Sequence, residues 1–194
     1  PPLMIATGRA TAEAWFGLGG RRLAVDTGVL APIAAATPGA RISFGGPGAG
    51  VEGFRTTRTQ AALVSTIALV SAGDEAHVVS YADDGIPVIA RLAEDLASTR
   101  RWIREVLGGL ARDTDDAARQ RETVRVFLDS AENFSETASQ LLLHRNTVKY
   151  RLTKAEHELG REPGARRLDT HLALTLCHVL GSVVLTADDG TPAG

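Results

Sequence analysis

The sequence has little cysteine, no long apolar run and almost no net charge. Its 194 residues contain one cysteine, Cys177, so no intramolecular disulfide and no cysteine-rich zinc site can form. No apolar run approaches the ~20 residues of a membrane-spanning helix, and the opening residues lack the basic and apolar regions of a signal peptide. These absences predict a protein of the reducing cytoplasm with no membrane attachment.

Acidic and basic side chains nearly balance, with 23 Asp and Glu against 21 Lys and Arg. The chain as a whole is therefore not a basic protein that coats nucleic acid, and any basic surface must be local. Such a surface is predicted at residues 144–154, which hold Arg145, Lys149, Arg151 and Lys154 but no acidic residue.

The first half of the chain alternates between strand-like and helical patterns. Its apolar spacing predicts a hairpin of residues 3–7 and 12–18, a helix over 26–36, a strand over 41–44, a helix over 56–69 and a strand over 77–81. Strands and helices that interleave in this way predict a small α+β domain in which helices cover one face of a single sheet.

From residue 93 onward the pattern is helical only. It predicts a helical segment over 93–110 and further helices over 117–129, 135–141, 146–159 and 170–185. The polar run 112–116 is the predicted hinge. We therefore divide the chain into an α+β domain over 1–112, an all-helical domain over 113–185 and a disordered tail over 186–194. Because the chain lacks an initial Met, we expect it to be a fragment of a longer protein.

Residues 135–152 have the layout of a helix-turn-helix. Ser135 is the predicted N-cap of the first helix. Ala138 supplies the small residue needed where two helices cross, and Val148, ten positions on, supplies the apolar residue of the second helix. The bend position often holds glycine, which tolerates a positive φ; Leu142 stands there instead and predicts a longer or differently shaped turn.

The faces of the second helix that do not pack inward fit the major groove of DNA. Arginine suits guanine and asparagine suits adenine, so we expect Arg145 and Asn146 at base edges, with Lys149 and Lys154 nearer phosphates. The alternative for this cationic face is plain solvation. The candidate DNA contacts are Ser135, Thr137, His144, Arg145, Asn146, Thr147, Lys149, Tyr150, Arg151 and Lys154.

The run His144 to Leu152, HRNTVKYRL, resembles the signature that closes PucR/CdaR-type bacterial transcriptional regulators. The resemblance spans roughly residues 123–180, and the segment is similar, more distantly, to the Fis helix-turn-helix. It implies a recognition helix over about 145–159, double-stranded DNA as partner, and control of a catabolic operon, for example for purines or sugar acids. It also implies a homodimer, an effector sensed outside this chain, and no cofactor. We place Trp102 or the 93–110 helix near the dimer interface.

A weaker resemblance covers the first half. Residues 41–47, 53–55 and 60–62 look like the degenerate GGDEF-like domain that precedes this module in such regulators, which implies a ferredoxin-like sheet. The hairpin that carries metal-binding acids in a working cyclase corresponds to residues 6–10, and these contain no acid. The resemblance thus implies a protein that is not an enzyme.

Two other classes of function stay open. Residues 48–53 match GxGxxG after a strand and before a helix, so the 45–53 glycine loop could serve a nucleotide-binding enzyme. Only one βα unit is visible, however, and Asp74, the acid about 20 residues on, lies in a predicted turn, which favours a structural loop. The other class is an interaction module whose basic helix meets an acidic protein.

The second half also contains a histidine pair. His171 and His178 lie seven residues apart on one predicted helix, beside Cys177. Three ligands from a single helix cannot converge on one ion, so we expect a packing or capping role for the histidines, a core position for Cys177 and no metal.

Overall fold

This computed structural model describes residues 2–19, 27–37, 39–70 and 77–187. They contain four short strands and eight α-helices. The strands are β1 (Leu3–Ala6), β2 (Ala12–Trp15), β3 (Arg41–Phe44) and β4 (His77–Ser80). The helices are α1 (Thr27–Ala35), α2 (Gly50–Val70), α3 (Ile86–Ala93), α4 (Leu96–Leu107), α5 (Asp115–Asp129), α6 (Phe134–Gln140), α7 (Arg145–Leu159) and α8 (Arg167–Leu180). Single 3-10 turns follow α4, precede α8 and follow α8. No helix among these described ranges is long and apolar enough to cross a membrane.

The first part of the chain has the predicted α+β character, but its strands do not form the predicted single sheet. In the described residues, β1 and β2 form an antiparallel hairpin, whereas β3 and β4 pair in parallel as a separate two-stranded sheet. The hairpin is attached to α2 by side chains: Trp15 stacks on Phe54 at 4.8 Å, and Arg58 pairs with Glu13 at 2.8 Å. Contacts with a helix, and not strand pairing, therefore fix the hairpin.

Most helix and strand boundaries agree with the sequence patterns. The strand 41–44 is confirmed as β3, and the predicted helix 26–36 is α1, with Asp26 outside the described residues. The helix predicted over 56–69 begins earlier, at Gly50, which has a φ of 65°. Apolar periodicity located the buried part of this helix but not its exposed first turns.

The N-cap of α6 is Asn133, and the prediction of Ser135 is wrong. The Oδ1 atom of Asn133 accepts hydrogen bonds from the backbone N–H groups of Ser135 at 2.9 Å and Glu136 at 3.1 Å. Because Phe134 already has helical geometry, the helix begins one residue earlier than predicted. Ser135 lies inside the first turn, where its hydroxyl caps nothing.

Replacing Asn133 by alanine should lower the free energy of unfolding by about 1 kcal/mol, since two first-turn donors lose their acceptor. Ser135→Ala is the matched control and should change stability by less than about 0.5 kcal/mol, as for other exposed positions. Urea denaturation followed by circular dichroism measures both. A larger loss for Ser135→Ala than for Asn133→Ala would contradict this assignment of the cap.

The end of the helical part differs from the prediction at two points. The helix predicted over 170–185 begins at Arg167 and ends at Leu180, where Gly181 takes a φ of 62°. Thr186, predicted as the start of a disordered tail, pairs with the hinge: its N–H donates to Ala111 O at 2.9 Å, and its carbonyl accepts from Asp113 N at 2.8 Å. Residues 188–194 of the predicted tail lie outside the described residues.

One buried cluster extends across the predicted hinge. Ile103 and Leu107 of α4 are fully buried in the same cluster as Val124 of α5 and Leu176 of α8. The guanidinium of Arg121 reinforces this contact, since its Nη1 donates to the carbonyls of Leu110 at 2.7 Å and Arg112 at 2.6 Å. The helices on both sides of residue 112 are thus packed against one another.

Cys177 belongs to this cluster, as predicted, and burial raises the pKa of its thiol to about 12. At pH 8 the thiolate fraction should be about a thousandfold smaller than in the unfolded chain, whose thiol has a pKa near 8.5. We therefore expect iodoacetamide to label the native protein far more slowly than the urea-unfolded protein. Equal rates in the two states would contradict the burial.

The same thiol makes stability depend on pH. A raised pKa means that the folded state keeps its proton while the unfolded state loses it. The contribution of Cys177 to stability should thus be complete below about pH 8.5 and fall as the pH rises toward about 12. Cys177→Ala should lack this component of the alkaline loss, measured by urea denaturation between pH 8 and 10.

Candidate nucleic-acid interface

Helices α6 and α7 form the predicted helix-turn-helix. Ala138 of α6 is 8% exposed, and Val148 of α7 is fully buried in the same cluster. Leu152 and Ala155, at the following turns of α7, are also buried. The spacing of these three residues keeps one face of α7 against the rest of the domain and leaves the opposite face free.

The turn between the two helices has a left-handed residue, as motifs with glycine do. Leu142 itself takes a φ of 53°, and its side chain is 93% exposed. The turn is closed by hydrogen bonds from Leu142 N to Ser139 O at 3.2 Å and from Leu143 N to Ala138 O at 2.9 Å. The altered turn expected from the absence of glycine is therefore not found, and Leu142 adopts the strained conformation itself.

Leu142→Gly should stabilise the protein by roughly 0.5–1 kcal/mol. The substitution removes a left-handed cost of about 1–2 kcal/mol, and the greater flexibility of glycine in the unfolded chain offsets part of that gain. Leu168→Gly is the matched control: Leu168 is also exposed but lies in α8, so glycine there should destabilise by about 1 kcal/mol. Thermal denaturation compares the two; destabilisation by Leu142→Gly would contradict the strain.

The N-terminal end of α7 presents the predicted recognition residues. His144 is the N-cap, and its Nδ1 accepts a hydrogen bond from the backbone N–H of Asn146 at 3.2 Å. His144, Arg145 and Asn146 are exposed, as are Lys149 and Tyr150, whereas Thr147 is half-buried. The structure thus brings these six predicted residues to one end of the helix. The capping role of His144 did not emerge from the sequence patterns.

Thr137 does not belong to this surface, contrary to the prediction. Its side chain is fully buried, and its hydroxyl donates to the carbonyl of Asn133 at 2.8 Å. The residue lies on the face of α6 that packs inward, next to Ala138. Ser135 is exposed in the first turn of the same helix.

Two of the predicted cations bind other groups of the protein. The ammonium of Lys154 lies 2.6 Å from Asp116 Oδ2 on α5. Their hydrogen bond raises the pKa of Lys154 and lowers that of Asp116. Arg151 is half-buried, with its Nη1 3.5 Å from Thr123 Oγ1 on α5. Both side chains face the α5 flank of α7, and the ion pair with Asp116 reduces the charge that Lys154 presents to an outside partner.

Arg145 is held differently. In the described part of the chain it forms no ion pair, and its guanidinium carbon lies 6.0 Å from the centre of the Phe134 ring. Phe134 in turn packs against Phe127 of α5, with ring centres 5.0 Å apart and an interplanar angle of 56°. The positive charge of Arg145 therefore remains available, with an aromatic ring from α6 as its neighbour.

The glycine loop before α2 packs against its own helix. Gly46 N–H donates to Gln60 Oε1 at 2.8 Å, and Thr57 Oγ1 donates to Gly46 O at 2.7 Å. A Cβ atom on Gly45 would lie 2.0 Å from the carbonyl oxygen of Thr57. These contacts explain Gly45 and Gly46 by the close approach of their backbone to α2, and they occupy the N–H of Gly46.

The two histidines of α8 each pair with a different carboxylate of α5. His171 Nε2 lies 2.7 Å from Asp129 Oδ1, and His178 Nδ1 lies 3.9 Å from Glu122 Oε2. Within the described ranges, no group of three or more His, Cys, Asp or Glu side chains is placed to hold a metal ion. His171 thus links α8 to α5, whereas His178 is exposed and does not have the predicted packing role.

Comparison with known proteins agrees with this geometry. Residues 120–176 match the PucR C-terminal helix-turn-helix domain, which confirms the resemblance found in the sequence. The chain is 35% identical over 88 residues to the purine catabolism regulatory protein of Bacillus subtilis, covering 44% of this chain and 16% of that protein. It is also 35% identical over 78 residues to the transcriptional activator PmfR of Paenarthrobacter nicotinovorans, covering 40% of this chain and 16% of that protein.

The chain thus matches only about a sixth of the length of these two relatives. Their names are those of regulators, which agrees with the prediction that this chain is not an enzyme. No solved structure matches the chain.

Proposed function

Since residues 120–176 form a PucR-type helix-turn-helix domain, we propose that this chain is the DNA-binding part of a bacterial transcriptional regulator. The observation that carries the proposal is the division of α7 into two faces. Val148, Leu152 and Ala155 hold one face inside the domain, while Arg145 and Lys149, beside that face, are exposed and lack an ion pair within the described residues. A docked helix with free cations at its N-terminal end has the form needed to enter the major groove.

The proposed contacts follow from exposure and chemistry. Arg145 and Asn146 read base edges, and Lys149, Tyr150 and Ser135 contact phosphates. His144 and Thr147 flank the base contacts at the start of the helix. Arg151 and Lys154 contribute only if they leave Thr123 and Asp116, so we assign them a smaller share of the affinity.

Selection from a random duplex library tests the proposal directly. The full chain should enrich a common sequence, and fluorescence anisotropy should then show tighter binding to that duplex than to a scrambled one. A chain that binds acidic proteins but no duplex would favour the interaction module instead. Calorimetry with ATP, GTP and NAD covers the nucleotide-binding enzyme, which no observation on the 45–53 loop favours.

We further propose that the full-length regulator acts in the cytoplasm as a homodimer on the operator of a catabolic operon. One recognition helix contacts only a few base pairs, so specific readout needs two modules about 34 Å apart on one face of the DNA. Trp102 is half-buried against the core, and its α4 helix packs on α8, which leaves its exposed edge for the dimer contact. The effector would bind a region outside this chain. A full-length protein that sediments as a monomer on its operator would contradict the dimer.

The first part of the chain, residues 1–112, is proposed to be a degenerate GGDEF-like domain, with the helical domain over 113–185. Support comes from its βα order and from the hairpin turn between β1 and β2, whose residues 7–11 carry no acid. Incubation with GTP and Mg²⁺ should therefore yield no cyclic dinucleotide. Because one buried cluster joins the two parts, we expect them to unfold in a single transition.

A further inference from the structure

We propose that Phe134 is a positioning residue for DNA reading: its ring holds the guanidinium of Arg145 in the orientation in which it meets a base. This inference rests on the proposed function and adds a role for a residue of α6 that does not itself touch DNA. The juxtaposition that carries it is the series Phe127, Phe134 and Arg145, one residue from each of three helices.

Phe127, the first residue of this series, is buried and holds the ring of Phe134. Phe127 is 8% exposed within the core, and its ring lies 5.0 Å from that of Phe134 in a tilted arrangement. Tilted aromatic pairs at this distance are favourable because a positive ring edge meets a negative ring face. The ring of Phe134 is therefore anchored to α5, although Phe134 itself is only half-buried at the start of α6.

The ring then acts on Arg145. The guanidinium carbon lies 6.0 Å from the ring centre, at the outer limit of a cation–π contact. No carboxylate of the described residues pairs with Arg145, so this ring is the partner that restrains it. A cation–π contact leaves the N–H groups of the guanidinium free, whereas a carboxylate would occupy them. Arg145 is thus restrained without losing the paired donors that recognise guanine O6 and N7.

The consequence for binding is entropic. A free arginine side chain loses rotamer freedom when it binds, and a side chain already held in the bound orientation loses less. Phe134 should hence raise affinity for the selected duplex, where Arg145 must adopt one geometry. It should have little effect on affinity for a scrambled duplex, where Arg145 makes no base contact that requires one side-chain orientation.

Four variants of the full chain test the proposal on the selected and scrambled duplexes. Phe134→Leu keeps an apolar side chain against Phe127 but removes the ring, and should weaken selected binding about three- to fivefold, the range of an exposed cation–π contact. Phe134→Tyr keeps the ring and should stay within about twofold of the wild type. Arg145→Ala and the double variant Phe134→Leu, Arg145→Ala complete a cycle. In the Arg145→Ala background, Phe134→Leu should have no further effect on selected binding.

The cycle separates positioning from a general structural role. An equal loss from Phe134→Leu with and without Arg145, or an equal loss on both duplexes, would overturn the proposal, as would tighter binding by Phe134→Leu. Thermal denaturation of each variant checks that it is folded, and if Phe134→Leu fails to fold, Phe134→Met replaces it. If the wild-type chain selects no duplex at all, the proposed function fails, which is distinguishable from a selected duplex that is indifferent to Phe134.

Discussion

Val148→Asp should lower the free energy of unfolding by about 4 kcal/mol or more, because it buries a carboxylate that has no partner. Val148 is fully buried where α7 meets the core. A small domain has only about 5–15 kcal/mol of stability in total, so we expect much of the helical part to unfold or lose its packing. Urea denaturation followed by circular dichroism gives the midpoint.

Lys149→Asp, one residue further on, is the matched control. Lys149 is exposed, and the substitution should change stability by no more than about 0.5 kcal/mol. Both variants should lose DNA binding, the first because the helix is no longer docked and the second because a phosphate contact becomes repulsive. If the free energy of unfolding of Val148→Asp were within about 1 kcal/mol of the wild-type value, the inward face of α7 would be wrongly assigned.

Arg145→Ala should reduce affinity for the selected duplex by roughly 1–3 kcal/mol and leave affinity for a scrambled duplex nearly unchanged. The reason is that a base contact distinguishes sequences, whereas a phosphate contact adds affinity to any duplex. Fluorescence anisotropy at several salt concentrations measures both affinity and its salt dependence.

Lysines on the same helix are the controls for Arg145. Lys149→Ala should weaken binding to both duplexes alike. It should also reduce the slope of log affinity against log salt concentration by about one unit, as for one lost phosphate contact. Lys154→Ala should have a smaller effect on binding than Lys149→Ala, since its ammonium is already paired with Asp116. If Arg145→Ala weakened binding to both duplexes equally, Arg145 would be a phosphate contact and α7 would lie differently in the groove.

The helix-turn-helix could be located from the sequence because its signals are local. The small Ala138, the apolar Val148 and the HRNT run lie within a few turns of one another, and α6 and α7 begin within one residue of their predicted starts. The cap was missed because Asn133 and Ser135 are both good capping residues; the backbone geometry of Phe134 decides between them.

Local sequence patterns do not predict contacts between residues that are far apart in the sequence. Lys154 pairs with Asp116 across 38 residues, and the ring beside Arg145 belongs to another helix. The sequence alone therefore does not distinguish a paired cation from an unpaired one. The burial of Thr137 and the separation of the strands into two sheets likewise depend on which surfaces meet. The periodicity and motif of the sequence thus predict most of the helices and the end of α7 that carries the predicted recognition residues. They miss the helix α3 and its separation from α4. The folded chain alone decides which of those residues are free to bind, because packing buries some of them, ion pairs between helices engage others, and the rest stay exposed.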